Sequence, residues 1–406
     1  QEMSFDLFAY RKLQDTAADC EDRCDQIERE MRDPKAAERF ALKQSQAFVD
    51  QMEGFALELE DELMNFSDVS YKSFVKSESE IITLFYDKFA DIPLLSRMDA
   101  VAETFIDEIE TLLNRDLPEE ERIPLIEKFQ KMYETMDFYV LYNRFLKKEG
   151  YQTLPRRPLE KRKLRYEDVY PVLYLKYRLS RQAERSNIKH LVIDEMQDYS
   201  RLQYLIIRRM FSCKMTILGD RAQTMADQQQ DVLQFLPGIF GKDLRRIEMR
   251  KSYRNTVEIA SYAANLIGVT DLELFERHGM PVLERDVTDL EAALREAVDT
   301  LFPDEKTYET AAVIVPDEKT AERAYLILRE ILAEKDFDCE KRLSWLNRDS
   351  SSFKKGLTVT TFYLAKGLEF DQVFSIFPKD EKREIMMQAQ YIAATRALHE
   401  LRVYHI

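Results

Sequence analysis

Residues Leu191–Ser200 read LVIDEMQDYS, an apolar run that stops abruptly at Asp194, Glu195, Gln197 and Asp198. Such a run suits a strand with both faces covered by helices, as in a parallel sheet. Its carboxyl end is where open α/β sheets collect their ligands. Two adjacent acids there can divide the work of a Mg²⁺-nucleotide site, one holding the metal through water and the other polarising the attacking water. The alternative for a bare Asp-Glu pair is an acidic cap on the helix that follows.

The pattern around this segment favours a sheet. From Lys189 onward, strand candidates fall at His190–Ile193, Met215–Leu218, Arg246–Met249, Ala311–Val315, Thr358–Phe362, Gln372–Ile376 and Leu401–His405. Helices fit between them at Arg201–Phe211, Thr256–Ile267, Lys319–Leu332 and Ile385–Leu398. This alternation predicts βα units and a mainly parallel sheet.

The first 150 residues differ. They contain only Gly54 and Gly150, and apolar residues recur at helical spacing, as in Phe55, Leu57, Leu59 and Leu63 or Ile106, Ile109, Leu112 and Leu113. Breaks near Pro34, Pro93 and Pro118 divide the region into several helices. It holds 19 Lys+Arg against 35 Asp+Glu, so it carries −16 of a total of −15, and the remainder is nearly neutral at +1. An acidic arm repels phosphate and disfavours non-specific nucleic-acid binding; the same charge also serves simply to solvate a helical surface. Tyr151–Arg165 then concentrates Arg156, Arg157, Lys161, Arg162, Lys163 and Arg165 among prolines and reads as a linker. Its charge either touches phosphate or balances the acidic arm. No uninterrupted apolar run approaches the roughly 18–20 residues of a membrane span. Cys20, Cys24, Cys213 and Cys339 form no disulfide framework or paired zinc spacing, and as reduced thiols they point to the cytoplasm.

Further segments share the strand-end character of DEMQD. MTILGDRAQTM ends a strand in Gly219, Asp220 and Gln223, with Gly219 suited to a sharp turn. In SYRNTVEIA, Tyr253 offers a flat face for a base and Arg254 a permanent planar cation, with Asn255 or Thr256 as the helix cap. LTVTTFYLAKGLEFDQVF places Lys366–Glu369 between two strands, and in QYIAATRALHE Arg396 lies near a helix end, where a guanidinium can act as an arginine finger.

The ordered set DEMQD, GDRAQ, SYRN, AKGLEFD and AATRA resembles motifs II to VI of UvrD/Rep-type superfamily 1 helicases, over residues 189–406. LRYEDVYPVLYLKYRL with DEMQDYS looks more like the HelD subgroup, ATPases that dislodge and recycle RNA polymerase. The resemblance implies a RecA-like P-loop NTPase core: an all-α arm over residues 1–180, the end of the first RecA-like domain (1A) over 181–245, and the second (2A) over 246–406. It implies ATP and Mg²⁺ as ligands, with Asp194 on the hydrated metal and Glu195 activating water. Gln223 falls where the γ-phosphate is coupled to the translocating strand, and Tyr253 where adenine is stacked. Arg254 and Arg396 match the two arginines on the γ-phosphate, Glu369 the acid near the ribose, and Thr361 and Tyr363 the contact to single-stranded DNA. Implied partners are nucleic acid and, for the HelD subgroup, RNA polymerase.

Three departures qualify this. Tyr363 stands where the family usually has histidine. The stretch between Arg254 and the KGLEF motif is too short for the large 2B insertion. No GxxxxGK[ST] phosphate loop occurs in the 406 residues, so the cradle of backbone N–H groups and its lysine are missing from this sequence. The expectation is a C-terminal part of a longer ATPase whose Walker A segment lies upstream; the alternative is a natural descendant that has lost hydrolysis.

Overall fold

The computed structural model describes residues 4–181, 187–220, 223, 232–241, 244–249, 251–269, 273–302, 308–335, 338–348, 350, 355–379 and 383–406. The N-terminal region is built mainly from helices, among them Arg23–Arg32, Pro34–Gln44, Gln46–Glu62, Arg97–Leu113, Glu119–Gln130, Phe138–Lys148 and Tyr166–Leu179. It is not wholly α. Four short strands interrupt it: β1 (Asp19–Cys20), β2 (Val69–Tyr71), β3 (Phe74–Lys76) and β4 (Lys163–Leu164). β2 and β3 form an antiparallel hairpin, and β1 pairs in parallel with β4.

Tyr166–Leu179 is the axis of this region, and every residue of it except Arg178 is buried. A helix that is apolar nearly all round belongs in a core, and its few charges are matched there. Asp168 receives Lys43 Nζ at 2.5 Å and the Tyr142 hydroxyl at 2.7 Å, and Glu167 meets Arg29 at 2.6 Å. The YEDVY phrase therefore anchors the arm to itself. Of the apolar residues read as one face, Phe55, Leu59, Leu63, Ile106 and Ile109 are buried, whereas Leu57 and Leu112 are 57% and 71% exposed. In the basic linker, Arg162 reaches Asp137 at 2.7 Å and Lys163 reaches Asp19 at 2.9 Å, which balances acidic neighbours. Arg156, Arg157 and Lys161 stay exposed.

β5 (His190–Ile193) and β6 (Lys214–Ile217) pair in parallel around the crossover helix Arg201–Met210. That helix and Val232–Phe240 pack into the same apolar cluster as the N-terminal helices. The outer side of the pair is open, with Val192 60% exposed. The strand expected at Arg246–Met249 does not form. Ile247 and Met249 are 75% and 89% exposed, so no core face holds the segment in place. Instead β7 (Lys251–Ser252) pairs with β8 (Glu273–Leu274).

The remaining strands are β9 (Leu283–Asp286), β10 (Thr310–Val315), β11 (Leu343–Trp345), β12 (Gly356–Thr361), β13 (Phe370–Phe377) and β14 (Ala397–His405). They form one parallel sheet in the order β11-β12-β10-β13-β14-β9. Val257–Leu266 and Glu384–Thr395 cover one face, while Leu290–Asp299 and Glu318–Ala333 cover the other. Burial on both sides explains the continuous apolar run Ala311–Val315 in β10. No helix among the described residues is long and apolar enough to cross a membrane.

Candidate nucleotide site between the two sheets

The carboxyl end of β5 does not cap a helix. Ser200 does that, in a reciprocal capping box with Gln203. A 3₁₀ turn, Met196–Asp198, intervenes, and Glu195 enters it at φ +52°, the left-handed region. A non-glycine residue held there costs about 1–3 kcal/mol, a strain that tends to gather at functional sites. Asp194 is exposed, with one oxygen accepting the Glu195 N–H at 2.9 Å, and Glu195 accepts from Gln197 Nε2 at 2.6 Å.

β6 ends directly beneath this turn. A Cβ on Gly219 would lie 2.4 Å from Gln197 Oε1 and 2.6 Å from the Met196 nitrogen. Close approach, and not a left-handed turn, requires glycine there. Gln197 Oε1 accepts the Asp220 N–H at 3.0 Å, and Asp220 holds Gln223 Nε2 at 3.0 Å.

Across the cleft, groups from the large sheet meet this cluster. Lys366, in the loop after β12, reaches Asp198 at 2.7 Å, Glu195 at 3.3 Å and the Gln223 carbonyl at 3.3 Å. Burial pushes the Asp198 carboxyl up, and the Lys366 ammonium opposes that shift. Arg396 follows the helix Glu384–Thr395 and is 1% exposed. It donates to Gln223 Oε1 at 3.1 Å and to the carbonyls of Leu368 and Ile392, both at 3.3 Å. Burial, and then the Arg254 cation beside it, pull its pKa down. Arg254 pairs with Glu369 at 2.7 Å. Asn255 is not the cap: its amide donates to the carbonyls of Thr395 and Ala397 at 3.2 and 2.7 Å, tying SYRN to AATRA, while Thr256 caps the helix.

Tyr253 is 60% exposed, with its ring 5.6 Å from Phe275 and the Lys251 ammonium 5.4 Å above it. The ring is thus a largely solvent-exposed aromatic surface beside a cation.

Glu195, Gln223 and Arg396 are joined through Lys366 and direct contact, and Arg254 with Glu369 borders them. Two residues lie elsewhere. Thr361 is fully buried and Tyr363 is 6% exposed, with the Tyr363 hydroxyl donating to Glu28 at 2.7 Å. As folded, neither presents a surface to nucleic acid: Thr361 is buried in β12, and the helix Arg23–Arg32 packs against Tyr363. Sequence reading placed Lys366 between two strands but gave it no role, and it missed Tyr391, whose hydroxyl lies 3.4 Å from Asp220.

Solved structures to which this chain is similar include helicases. The C-terminal domain of a possible DNA helicase from Lactobacillus plantarum WCFS1 is 23% identical, over 38% of this chain and 88% of that one, at a TM-score of 0.30. The PRRSV helicase is 14% identical, over 66% of this chain and 45% of that one, at 0.31. Arterivirus nonstructural protein 10 (helicase) in complex with DNA is 13% identical, over 66% of this chain and 51% of that one, at 0.28. The chain thus spans about half the length of these viral helicases. No curated protein matches the sequence. The family model of the UvrD/REP helicase N-terminal domain matches residues 3–225, more than half of the chain. The chain belongs to the UvrD/REP helicase family.

Proposed function

We propose that this chain is part of an ATP-dependent superfamily 1 helicase or translocase, with the end of one RecA-like domain at residues 181–245 and a second at 246–406. The observation that carries this reading is the contact of Arg396 with Gln223 beside Glu195, which joins a buried cation of one lobe to the acids of the other. The residues suit Mg²⁺-ATP. Asp194 is an exposed carboxylate at a strand end with one oxygen engaged locally, Arg254 and Arg396 are adjacent permanent cations, and Tyr253 is an open platform.

In this reading Asp194 would hold Mg²⁺, which would supply Lewis-acid neutralisation of phosphate charge. Glu195 orients and deprotonates the attacking water. Arg254 and Arg396 stabilise charge on the transferring γ-phosphoryl. Tyr253 stacks on the base and Glu369, when Arg254 turns to phosphate, is free to meet the ribose. Gln223, held between Asp220 and Arg396, transmits the state of the γ-phosphate across the cleft. Lobe closure then moves a nucleic-acid strand.

The arm supports a second reading, a HelD-like factor that binds RNA polymerase and displaces it from nucleic acid. Its charge of −16 suits a basic protein groove better than a strand path, which favours basic and aromatic surface. Comparing retention on immobilised RNA polymerase with oligonucleotide affinity across a salt series decides between them. Tight binding to the polymerase with weak, salt-insensitive oligonucleotide binding selects the second; the reverse selects the first.

A further inference from the structure

The helix Arg23–Arg32 belongs to the arm in sequence but is seated on the large sheet. Cys24, Ile27 and Met31, on one face, pack into the core of that lobe with Tyr363. Its acidic side meets Arg348, which follows β11, at 2.7 Å from Asp25, 3.4 Å from Asp22 and 3.8 Å from Glu28; Glu318 adds a fourth carboxylate at 3.1 Å. Glu28 also takes the Tyr363 hydroxyl. The helix's last carbonyls, Glu30 and Met31, accept from the two terminal nitrogens of Arg383 at 3.1 and 2.5 Å.

Three features of this contact point the same way. It lies at the carboxyl end of a parallel sheet, just past β10, β11 and β12, where α/β sheets bind ligands. Glu318 apart, the groups the lobe presents are donors, two guanidinium forks and a phenol, and forks of this kind suit phosphate oxygens. The groups the helix presents are acceptors, with acids spaced i, i+3, i+6, and with Glu318 four carboxylates share two guanidiniums, Arg348 and Arg32, the latter 2.7 Å from Glu28. Such a surplus makes the contact one that another anion can displace.

We propose that the helix Arg23–Arg32 is an intramolecular stand-in for a nucleic-acid strand. It occupies Arg348, Tyr363 and Arg383, with which the second lobe grips phosphates, and a single strand binds there only by displacing it. This rests on the reading of the chain as a nucleic-acid motor. The contact keeps the lobe's strand path shut until a strand competes for it.

The test measures the affinity of the whole chain for fluorescein-labelled oligo(dT) by anisotropy. One variant neutralises the helix (Asp22→Asn, Asp25→Asn, Glu28→Gln), changes that keep an N-cap at position 22. A control removes the same charge elsewhere on the arm (Glu119→Gln, Glu120→Gln, Glu127→Gln). The first should bind about tenfold more tightly than the control, as expected when phosphate contacts are freed, and adding Arg348→Ala should cancel the gain. In the unaltered chain, saturating oligo(dT) should speed hydrogen exchange at the amides of residues 23–32. Asp25→Asn alone gives a smaller gain in the same direction should the triple variant not fold. Equal affinity of the two triple variants, or unchanged exchange at residues 23–32 in a chain that does bind oligo(dT), overturns the proposal alone. Absence of binding by every variant overturns the nucleic-acid reading and the proposal with it.

Discussion

Lys366→Met isolates the contact that ties the two lobes at the site. The Lys366 side chain is 7% exposed and those of its partners Asp198 and Glu195 are 23% and 38% exposed. Removing one member of a fully buried pair costs about 3–5 kcal/mol; Asp198 retains some water, so the discounted cost here is about 2–3 kcal/mol. Methionine fills most of the volume, so the loss is electrostatic. The pH dependence carries the reasoning. Burial already raises Asp198, and without Lys366 it rises further. A carboxyl whose folded pKa lies above its unfolded value, about 3.9, destabilises the folded state once pH exceeds the folded value, and that penalty disappears as pH falls toward the unfolded one. The variant should therefore lose most at pH 7.5 and much less near pH 4.5, measured as urea midpoints against the parent at each pH. Adding Asp198→Asn should recover at least half of the neutral-pH loss, because it removes the stranded charge. A loss below about 0.5 kcal/mol, typical of a surface pair, or a loss independent of pH would refute the argument.

Gly219→Ala should cost about 1–3 kcal/mol by overpacking against Met196 and Gln197, seen as a lower urea midpoint; a neutral effect would show that the turn yields freely. Arg396→Ala, in a chain that carries the phosphate loop, should slow ATP turnover about 10²–10³-fold, and Arg396→Lys should fail to restore it because the fork is lost; steady-state hydrolysis measures both. The 406-residue chain alone should show no ATP turnover above background, since it contributes no phosphate-loop lysine. Turnover by this chain that Glu195→Gln abolishes would contradict that.

The large sheet was legible where burial is two-sided. β10 announces itself as an apolar run because helices cover both faces, and β12 and β13 as β-branched and apolar segments buried along nearly their whole length. β9 was not, because at the sheet edge all four of its residues, Leu283–Asp286, are exposed and its sequence LERD carries no apolar period. Arg246–Met249 erred the other way: an alternation that fits a strand forms none without a neighbour to pair with. At the proposed site, residue types and order singled out Asp194, Glu195, Gln223, Arg254 and Arg396 as candidates, since strand ends and helix starts are local features. What joins them is not local. Lys366 meets Asp198 across 168 positions of sequence, and Asn255 holds AATRA instead of capping its own helix. The helix of residues 23–32 that packs against Tyr363 is equally non-local, as nothing near β12 in the sequence reveals it.

The central claim is that Glu195 handles the attacking water of ATP hydrolysis. The most direct measurement is ATP turnover and ATP binding, side by side, for the phosphate-loop-containing chain and its Glu195→Gln variant. The account predicts binding within a few-fold of the parent and turnover about 10²–10⁴-fold lower, the contribution of a positioned general base. Near-normal turnover in the variant would contradict it and leave Glu195 as a strained residue of the turn.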